Sequence, residues 1–195
     1  MLERAERLGY AAVGPVVHAA DRAGVTPNAV TLFSVFIAFT AAVLLYLATP
    51  VGYAFAAALV VINGVLDVVD GELARRTGEA SDGGDLLDHV ADRYADTAVV
   101  AGAAGGTGEW FLGTFAVSGV LLVADAGTAA QASGVGRLYR GFLTRADIST
   151  LVVVGSLATA TGLGANGTEP FVFVLGILGV GGHVTTVQRA VTVKR

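Results

Sequence analysis

An all-α integral membrane bundle of six transmembrane helices, preceded by an N-terminal amphipathic helix lying in the interface, is the fold that this sequence predicts. Three observations carry that reading. The chain is 54% hydrophobic and only 14% charged, with a mean hydropathy of +0.69, whereas ordinary soluble domains hold about 25% charged residues. Six apolar stretches each approach the roughly 20 residues that a helix needs to cross the hydrocarbon core. Lys and Arg fall almost entirely in alternate gaps between those stretches, which is the bias expected of a chain that crosses a membrane repeatedly.

Residues 1–24 mix Leu2, Leu8, Val13, Val16 and Val17 with Glu3, Arg4, Glu6, Arg7, His18, Asp21 and Arg22. That is too polar to cross a bilayer and suits an interfacial amphipathic helix. The segment lacks the continuous apolar core and small-residue cleavage site of a signal peptide, so it is expected to stay in the mature protein. Thr26 and Pro27 mark a helix start, as cap and first helical residue. The spans are then expected at 28–48, 52–76, 84–104, 110–132, 145–163 and 170–190, divided by Thr49-Pro50, by the glycines from Gly105 to Gly108 and by the loop from Gly162 to Pro170. No repeat or linker interrupts them, so residues 1–195 read as one membrane domain, with the six-span bundle over 28–190.

The basic residues set an orientation. Arg4, Arg7 and Arg22 precede the first span, Arg75 and Arg76 follow the second, Arg137, Arg140 and Arg145 join the fourth to the fifth, and Arg189, Lys194 and Arg195 close the chain. The other three loops contain none, which places both termini in the cytoplasm of a multi-pass cell-membrane protein. A formal net charge of −4, and basic residues without interleaved aromatics, argue against a nucleic-acid partner. The absence of cysteine excludes thiol-ligated metal and a disulfide framework.

The chemistry concentrates between Asp67 and Asp96, which hold nine of the sixteen acidic residues. On a helix Asp67, Asp70, Gly71 and Ala74 follow i, i+3, i+4, i+7 and share one face, while Asp88 and Asp92 stand at i, i+4 on the next helix. Two helix faces can therefore meet with four carboxylates between them. Such an oxygen-rich cluster suits hard divalent cations, Mg²⁺ or Mn²⁺, whose charge an apolar setting would also require. Intramembrane carboxylates are functional by default. His18, His89 and His183 make no metal-ligand spacing, and Glu72, Glu79, Asp82 and Asp85 read as solvated charges.

The order D-x-x-D-G-x-x-A-R, eight residues, G-x-x-x-D-x-x-x-D over Asp67–Asp92 resembles the signature of the CDP-alcohol phosphotransferase family, matched at every fixed position. The resemblance implies transfer of a phosphatidyl or archaetidyl group from a CDP-activated lipid to an alcohol, with release of CMP. It implies two metal ions on Asp67, Asp70, Asp88 and Asp92, with Asp92 also accepting the alcohol's proton. Gly71 and Ala74 would let the nucleotide approach the helix backbone, and Arg75 would fork onto phosphate oxygens. Asn28, Thr31 and Ser81 correspond to further CDP-lipid contacts in the family, although Asn28 and Ser81 also suit plain helix caps.

The run Asp92-Arg93-Tyr94-Ala95-Asp96 resembles the branch of that family acting on inositol phosphate or related sugar phosphates, with glycerol phosphate as another acceptor of this kind. Arg145 and Arg189 stand where that branch places basic residues for the acceptor, and snorkelling to the interface is their ordinary alternative. Ala124 to Ala129 departs from the branch by lacking its basic residues. Arg93 and Asp96, at i and i+3, suit a mutual pair. Gly176, Gly179, Gly181 and Gly182 permit close helix contact, within one subunit or across a homodimer. The rival reading from another class is a small ion-coupled transporter using the same carboxylates as its cation site.

Overall fold

The computed structural model describes residues 13–132, 134, 141–163 and 169–193. Among them there is no strand. Residues 13–22 are helical (α1) and are followed by α2 (Pro27–Tyr46), α3 (Pro50–Thr77), α4 (Asp82–Thr107), α5 (Trp110–Ala132), α6 (Arg145–Ala160) and α7 (Glu169–Val193). Each expected span meets one of these helices to within a few residues. Helices α2, α3 and α5, and Pro170–Thr192 of α7, are long and apolar enough to cross a membrane. The other two fall short of that standard for visible reasons. Helix α4 carries the carboxylates along its first half, and α6 has 16 residues, about 24 Å at 1.5 Å per residue. Arg4, Arg7, Arg137, Arg140, Lys194 and Arg195, which helped to set the expected orientation, lie outside the described residues, as do residues 1–12 of the expected interfacial helix.

Local chemistry fixes where the helices begin and end. Thr26 caps α2 by accepting from the amide of Ala29, with Pro27 in the first turn, and Thr49 caps α3 in the same way ahead of Pro50. Helix α3 ends on Gly78 at φ 72°, whose amide donates to the Ala74 carbonyl, a left-handed cap that glycine adopts without a Cβ clash. Three residues later the Ser81 hydroxyl accepts from the amide of Gly84 and starts α4. This short connection reverses the chain, and both α3 and α4 pack on α2, so that their carboxylates come to the same end of the bundle. A reciprocal capping box of Thr144 and Asp147 starts α6.

The packing is inverted relative to a water-soluble bundle. Helix α2 buries Thr31, Ser34, Ala38, Ala41 and Ala42 and turns Leu32, Phe33, Phe36, Phe39 and Val43 outward. Lipid tails solvate large apolar side chains as well as a protein core does, so small residues go where helix backbones must approach. Helix α2 packs on α3 and α4, α3 on α6, and α5 on α7. A Cβ on Gly102 of α4 would overlap the backbone of Ala42, one on Gly106 the carbonyl of Leu45, and one on Gly119 of α5 the backbone of α7 at Leu178 and Gly179. Gly179 and Gly182 pack against Phe115 and Gly119, and Gly181 against the segment at Phe142 and Leu143, so three of the four glycines in the last span serve contacts within the subunit. Gly176 meets nothing within 4 Å.

Helix α1 lies over one end of the bundle, where Val13 and Val17 cover Val30, Val69 and Leu73. Its polar side is tied to the end of α3. Arg76 places Nε 2.9 Å from Asp21 Oδ2 and Nη2 2.8 Å from His18 Nδ1. An apolar face on the bundle and a charged face outward is what an interfacial helix requires.

This packing makes Gly102→Val a sensitive probe, because the added side chain must force α2 and α4 apart. Overpacking of this kind typically costs about 1–3 kcal/mol. Thermal unfolding in detergent is expected to show a clear fall in Tm for Gly102→Val and almost none for Gly176→Ala. Equal melting of the two variants would overturn the proposed α2–α4 contact.

Candidate active site

The carboxylates of α3 and α4 meet at the end of the bundle where α2, α4 and α6 begin and α3 and α7 end. Two clefts open there. The first is lined by Asn28 and Thr31 of α2, by Asp67, Asp70, Gly71 and Ala74 of α3, by Ser81, and by Gly84 and Asp88 of α4. All the residues singled out for CDP-lipid binding are on this list except Arg75. The second is lined by Asp92, Arg93 and Asp96 of α4, Ala124 and Thr128 of α5, Thr144 and Arg145 at the start of α6, and Arg189 of α7. Helix periodicity explains the split, since Asp88 and Asp92 are one turn apart and successive turns of α4 face successive clefts.

Arg145 joins the two clefts. Its Nη2 donates to Asp67 Oδ2 at 2.7 Å and to Asp92 Oδ1, bridging carboxylates from different helices. Charge-assisted bonds of this kind are roughly twice as strong as neutral ones. The four signature aspartates are close enough for each to feel the others' charge. With Asp96 added the site holds five carboxylates, whereas Arg93 and Arg145 pair only with Asp67, Asp92 and Asp96, so acidic groups outnumber basic ones. Among the described residues no three His, Cys, Asp or Glu side chains converge into a ready-made metal shell. The guanidinium of Arg145 stands between two of the aspartates in the manner of a cation.

Asp70 is held separately. It is buried, and its Oδ2 accepts from the equally buried Thr31 hydroxyl at 2.8 Å, so α2 fixes the orientation of a carboxylate on α3. Of Asn28, Thr31 and Ser81, Thr31 makes the direct contact to a signature carboxylate. Ser81 caps α4 through the amide of Gly84 and lines the first cleft. Asn28 is not the cap of α2, a place taken by Thr26. It lines the cleft beside Gly84.

Gly71 is informative for what does not surround it. A Cβ built there would meet only Arg75 Nη1, at an ordinary 3.8 Å. The protein's own packing therefore does not demand glycine, and the bare backbone faces the cleft. Arg75 lies at the rim, exposed, with Nε and Nη2 donating to Glu72 Oε2 at 3.1 and 2.8 Å. Exposed i, i+3 pairs contribute little stability, so this arginine is easily redirected. The pairing of Glu72 was not foreseen, although its spacing from Arg75 was available in the sequence.

Arg189 is buried between α5 and α7 and donates through Nη1 to the Val123 carbonyl. The snorkelling alternative therefore fails for it, since its guanidinium is turned into the bundle. Arg145 likewise turns inward to Asp67 and Asp92. Arg93 pairs loosely with Asp96 at 3.6 Å, as its i, i+3 spacing suggested. His89 contacts the Asp85 carbonyl through Nδ1 at 2.7 Å and lines the second cleft.

Known proteins resemble this chain in sequence and in fold. The chain is 32% identical over 203 residues to the phosphatidylinositol phosphate synthase of Cutibacterium acnes, covering 97% of this chain and 96% of the relative. It is 29% identical over 173 residues to the archaetidylinositol phosphate synthase of Pyrococcus horikoshii, covering 88% and 85%. The fold matches the crystal structure of the Mycobacterium tuberculosis phosphatidylinositol phosphate synthase with CDP-DAG bound, at a TM-score of 0.77 and 25% identity over 92% of each chain. The pattern of one family of membrane enzymes matches residues 24–188, which takes in α2 to α6 and most of α7 with every residue of both clefts except Arg189, and displaces the transporter reading: the chain belongs to the CDP-alcohol phosphatidyltransferase family.

Proposed function

We propose that this protein transfers a phosphatidyl or archaetidyl group from a CDP-activated lipid to a phosphate-bearing alcohol, releasing CMP, with inositol phosphate as the preferred acceptor over glycerol phosphate. The observation that carries the reading is that two clefts of different character share one wall of carboxylates. The first presents bare backbone at Gly71 and small residues at Ala74 and Gly84, as a nucleotide lying against a helix requires. The second gathers arginines around hydroxyls, as a phosphorylated polyol requires. The names of the two relatives support inositol phosphate, and they leave the lipid class open between diacylglycerol and archaeol.

Asp67, Asp70, Asp88 and Asp92 would hold two divalent ions, Mg²⁺ or Mn²⁺. The all-oxygen donor set fits such ions, and the excess of negative charge around Arg145 calls for them. Bound there, they would neutralise the diphosphate and stabilise the leaving phosphate. Thr31 keeps Asp70 turned into the first cleft. Arg75 exchanges Glu72 for a phosphate oxygen of the nucleotide, and Asn28 and Ser81 hold the cytidine end. Asp92 faces the second cleft and takes the proton from the acceptor hydroxyl. The oxygen so freed forms a bond to the lipid-bearing phosphorus as the bond from that phosphorus to the CMP oxygen breaks. Arg145 and Arg189 hold the acceptor from the opposite side of the cleft.

The whole chain acts as a single domain in this reading. Helices α4 and α6 cross the membrane with the other four, their polar first turns lying at the end that carries the site. That end faces the cytoplasm of a cell membrane, where Arg75, Arg76, Arg145 and Arg189 are placed and where CDP-lipid and acceptor both reach it.

Two experiments test these statements. The purified protein should release CMP from CDP-diacylglycerol or CDP-archaeol with Mn²⁺ or Mg²⁺ when inositol phosphate is supplied. Asp70→Asn and Asp88→Asn should each lower kcat on the order of 10²–10³-fold or more, the scale of losing a charge-stabilising group, while the Tm stays near that of the parent. Turnover that survives in either variant, or in excess chelator, would rule out the metal site. For orientation, the cysteine-free chain allows single labels at Glu109→Cys and Glu79→Cys. In intact cells a membrane-impermeant maleimide should reach the first and should reach the second only after permeabilisation, and the reverse pattern would refute a cytoplasmic site.

A further inference from the structure

Three arginines line the second cleft, and their hydrogen-bonding capacity is not equally engaged. Arg145 bridges Asp67 and Asp92 through Nη2. Arg189 donates to the Val123 carbonyl. Arg93 differs from both. Its Nη2 lies 3.8 Å from Asp92 Oδ2 and 3.6 Å from Asp96 Oδ2, both longer than a hydrogen bond between charged groups, and its Nε is buried without a hydrogen-bond partner.

A buried donor with no acceptor is rare in a native fold and calls for an explanation. The guanidinium offers five donors in a rigid planar fork that matches the oxygens of a phosphate. Neither Asp92 nor Asp96 closes onto that fork, although both are within reach of it. The α5 wall beside it, at Ala124 and Thr128, is neutral.

We propose that Arg93 is a specificity-determining residue that grips the anionic group of the acceptor from the α4 side of the second cleft. It supplies the cation that the α5 wall lacks. Its neighbour in sequence is Asp92, so an acceptor phosphate held by Arg93 anchors the ring beside the carboxylate that takes the hydroxyl proton. Thr128 and Thr144 line the same cleft and offer hydroxyls to an uncharged polyol ring. Arg93 does not line the first cleft, so the CDP-lipid should not sense its loss. The inference rests on the phosphate-bearing acceptor described above.

The test uses the full chain in nanodiscs, with inositol phosphate as the probe for both binding and turnover. Arg93→Gln should raise the KM for inositol phosphate roughly tenfold or more, the loss of about 1.4 kcal/mol or more of contact, and leave the CDP-lipid KM within about twofold. Arg93→Lys, which keeps the charge and loses the fork, should fall between parent and Arg93→Gln. Asp96→Asn should leave the acceptor KM unchanged or lower it, because it removes a competing anion. The shift in Tm on adding inositol phosphate without CDP-lipid should shrink in Arg93→Gln and Arg93→Lys, which reads binding apart from turnover. Equal rises in acceptor KM for Arg93→Gln and Asp96→Asn, no greater in the double variant, would mean a merely structural ion pair and overturn the proposal. So would an unchanged acceptor KM and an undiminished Tm shift in the arginine variants. If the parent protein itself neither turns over nor shifts in Tm with inositol phosphate, the acceptor reading has failed and this inference falls with it.

Discussion

The structure depends on neutralising the carboxylates that α3 and α4 turn towards each other. Two like charges about 4 Å apart repel by roughly 4 kcal/mol at the effective dielectric of a protein surface. Without a cation the cluster would drive the two helices apart, although Gly78 and Ser81 turn one directly into the other. Arg145 supplies that cation from the first residue of α6, reaching both Asp67 and Asp92. The same contact seats the start of α6 against the bundle. A charge requirement imposed by the site thus becomes part of what holds the fold together.

The small residues belong to the same argument. Apolar burial gives little reason for helices to associate in lipid, so the approach of α2 to α4 comes from close backbone contact at Gly102 and Gly106. At its other end α2 packs on α3, and there Thr31 comes within 2.8 Å of Asp70. Were α2 held further out by larger side chains, Asp70 would be a buried carboxylate without its donor, a costly state.

Most of the fold was legible because its signals are local. Thr-Pro pairs before α2 and α3, the glycine after α3 and the apolar runs themselves each state a boundary, and the helices follow them. The carboxylate faces were legible for the same reason, since helical periodicity alone sets Asp67 with Asp70 and Asp88 with Asp92. What escaped was long-range. Nothing in the spacing of Arg145 connects it to Asp67, 78 residues away, and a resemblance to enzymes with a basic residue at that position suggested an acceptor contact only. The inward turn of Arg189 to a backbone carbonyl was hidden likewise, because a basic residue near the end of an apolar helix reads equally well as interfacial. Arg93 looked like one half of an i, i+3 pair, and only the three-dimensional arrangement shows that the pair is too loose to satisfy it.

The place of the site at the bundle's end, and not at mid-membrane, follows from the chemistry assigned to it. A CDP-activated lipid has a highly charged head and apolar chains, so its reacting phosphorus must sit where a polar cleft adjoins a lipid-facing surface. Around the first cleft, Val65 and Val68 on α3 and Leu86 and Val90 on α4 are exposed large apolar residues interleaved with the aspartates. On a helix this alternation turns one face to the cleft and the neighbouring face to the acyl chains. The acceptor is wholly polar and needs no such surface, and the second cleft is accordingly bounded by α5, α6 and α7. The row Asp67, Asp88 and Asp92 separates an amphiphile's compartment from a polar one, and its carboxylates reach both.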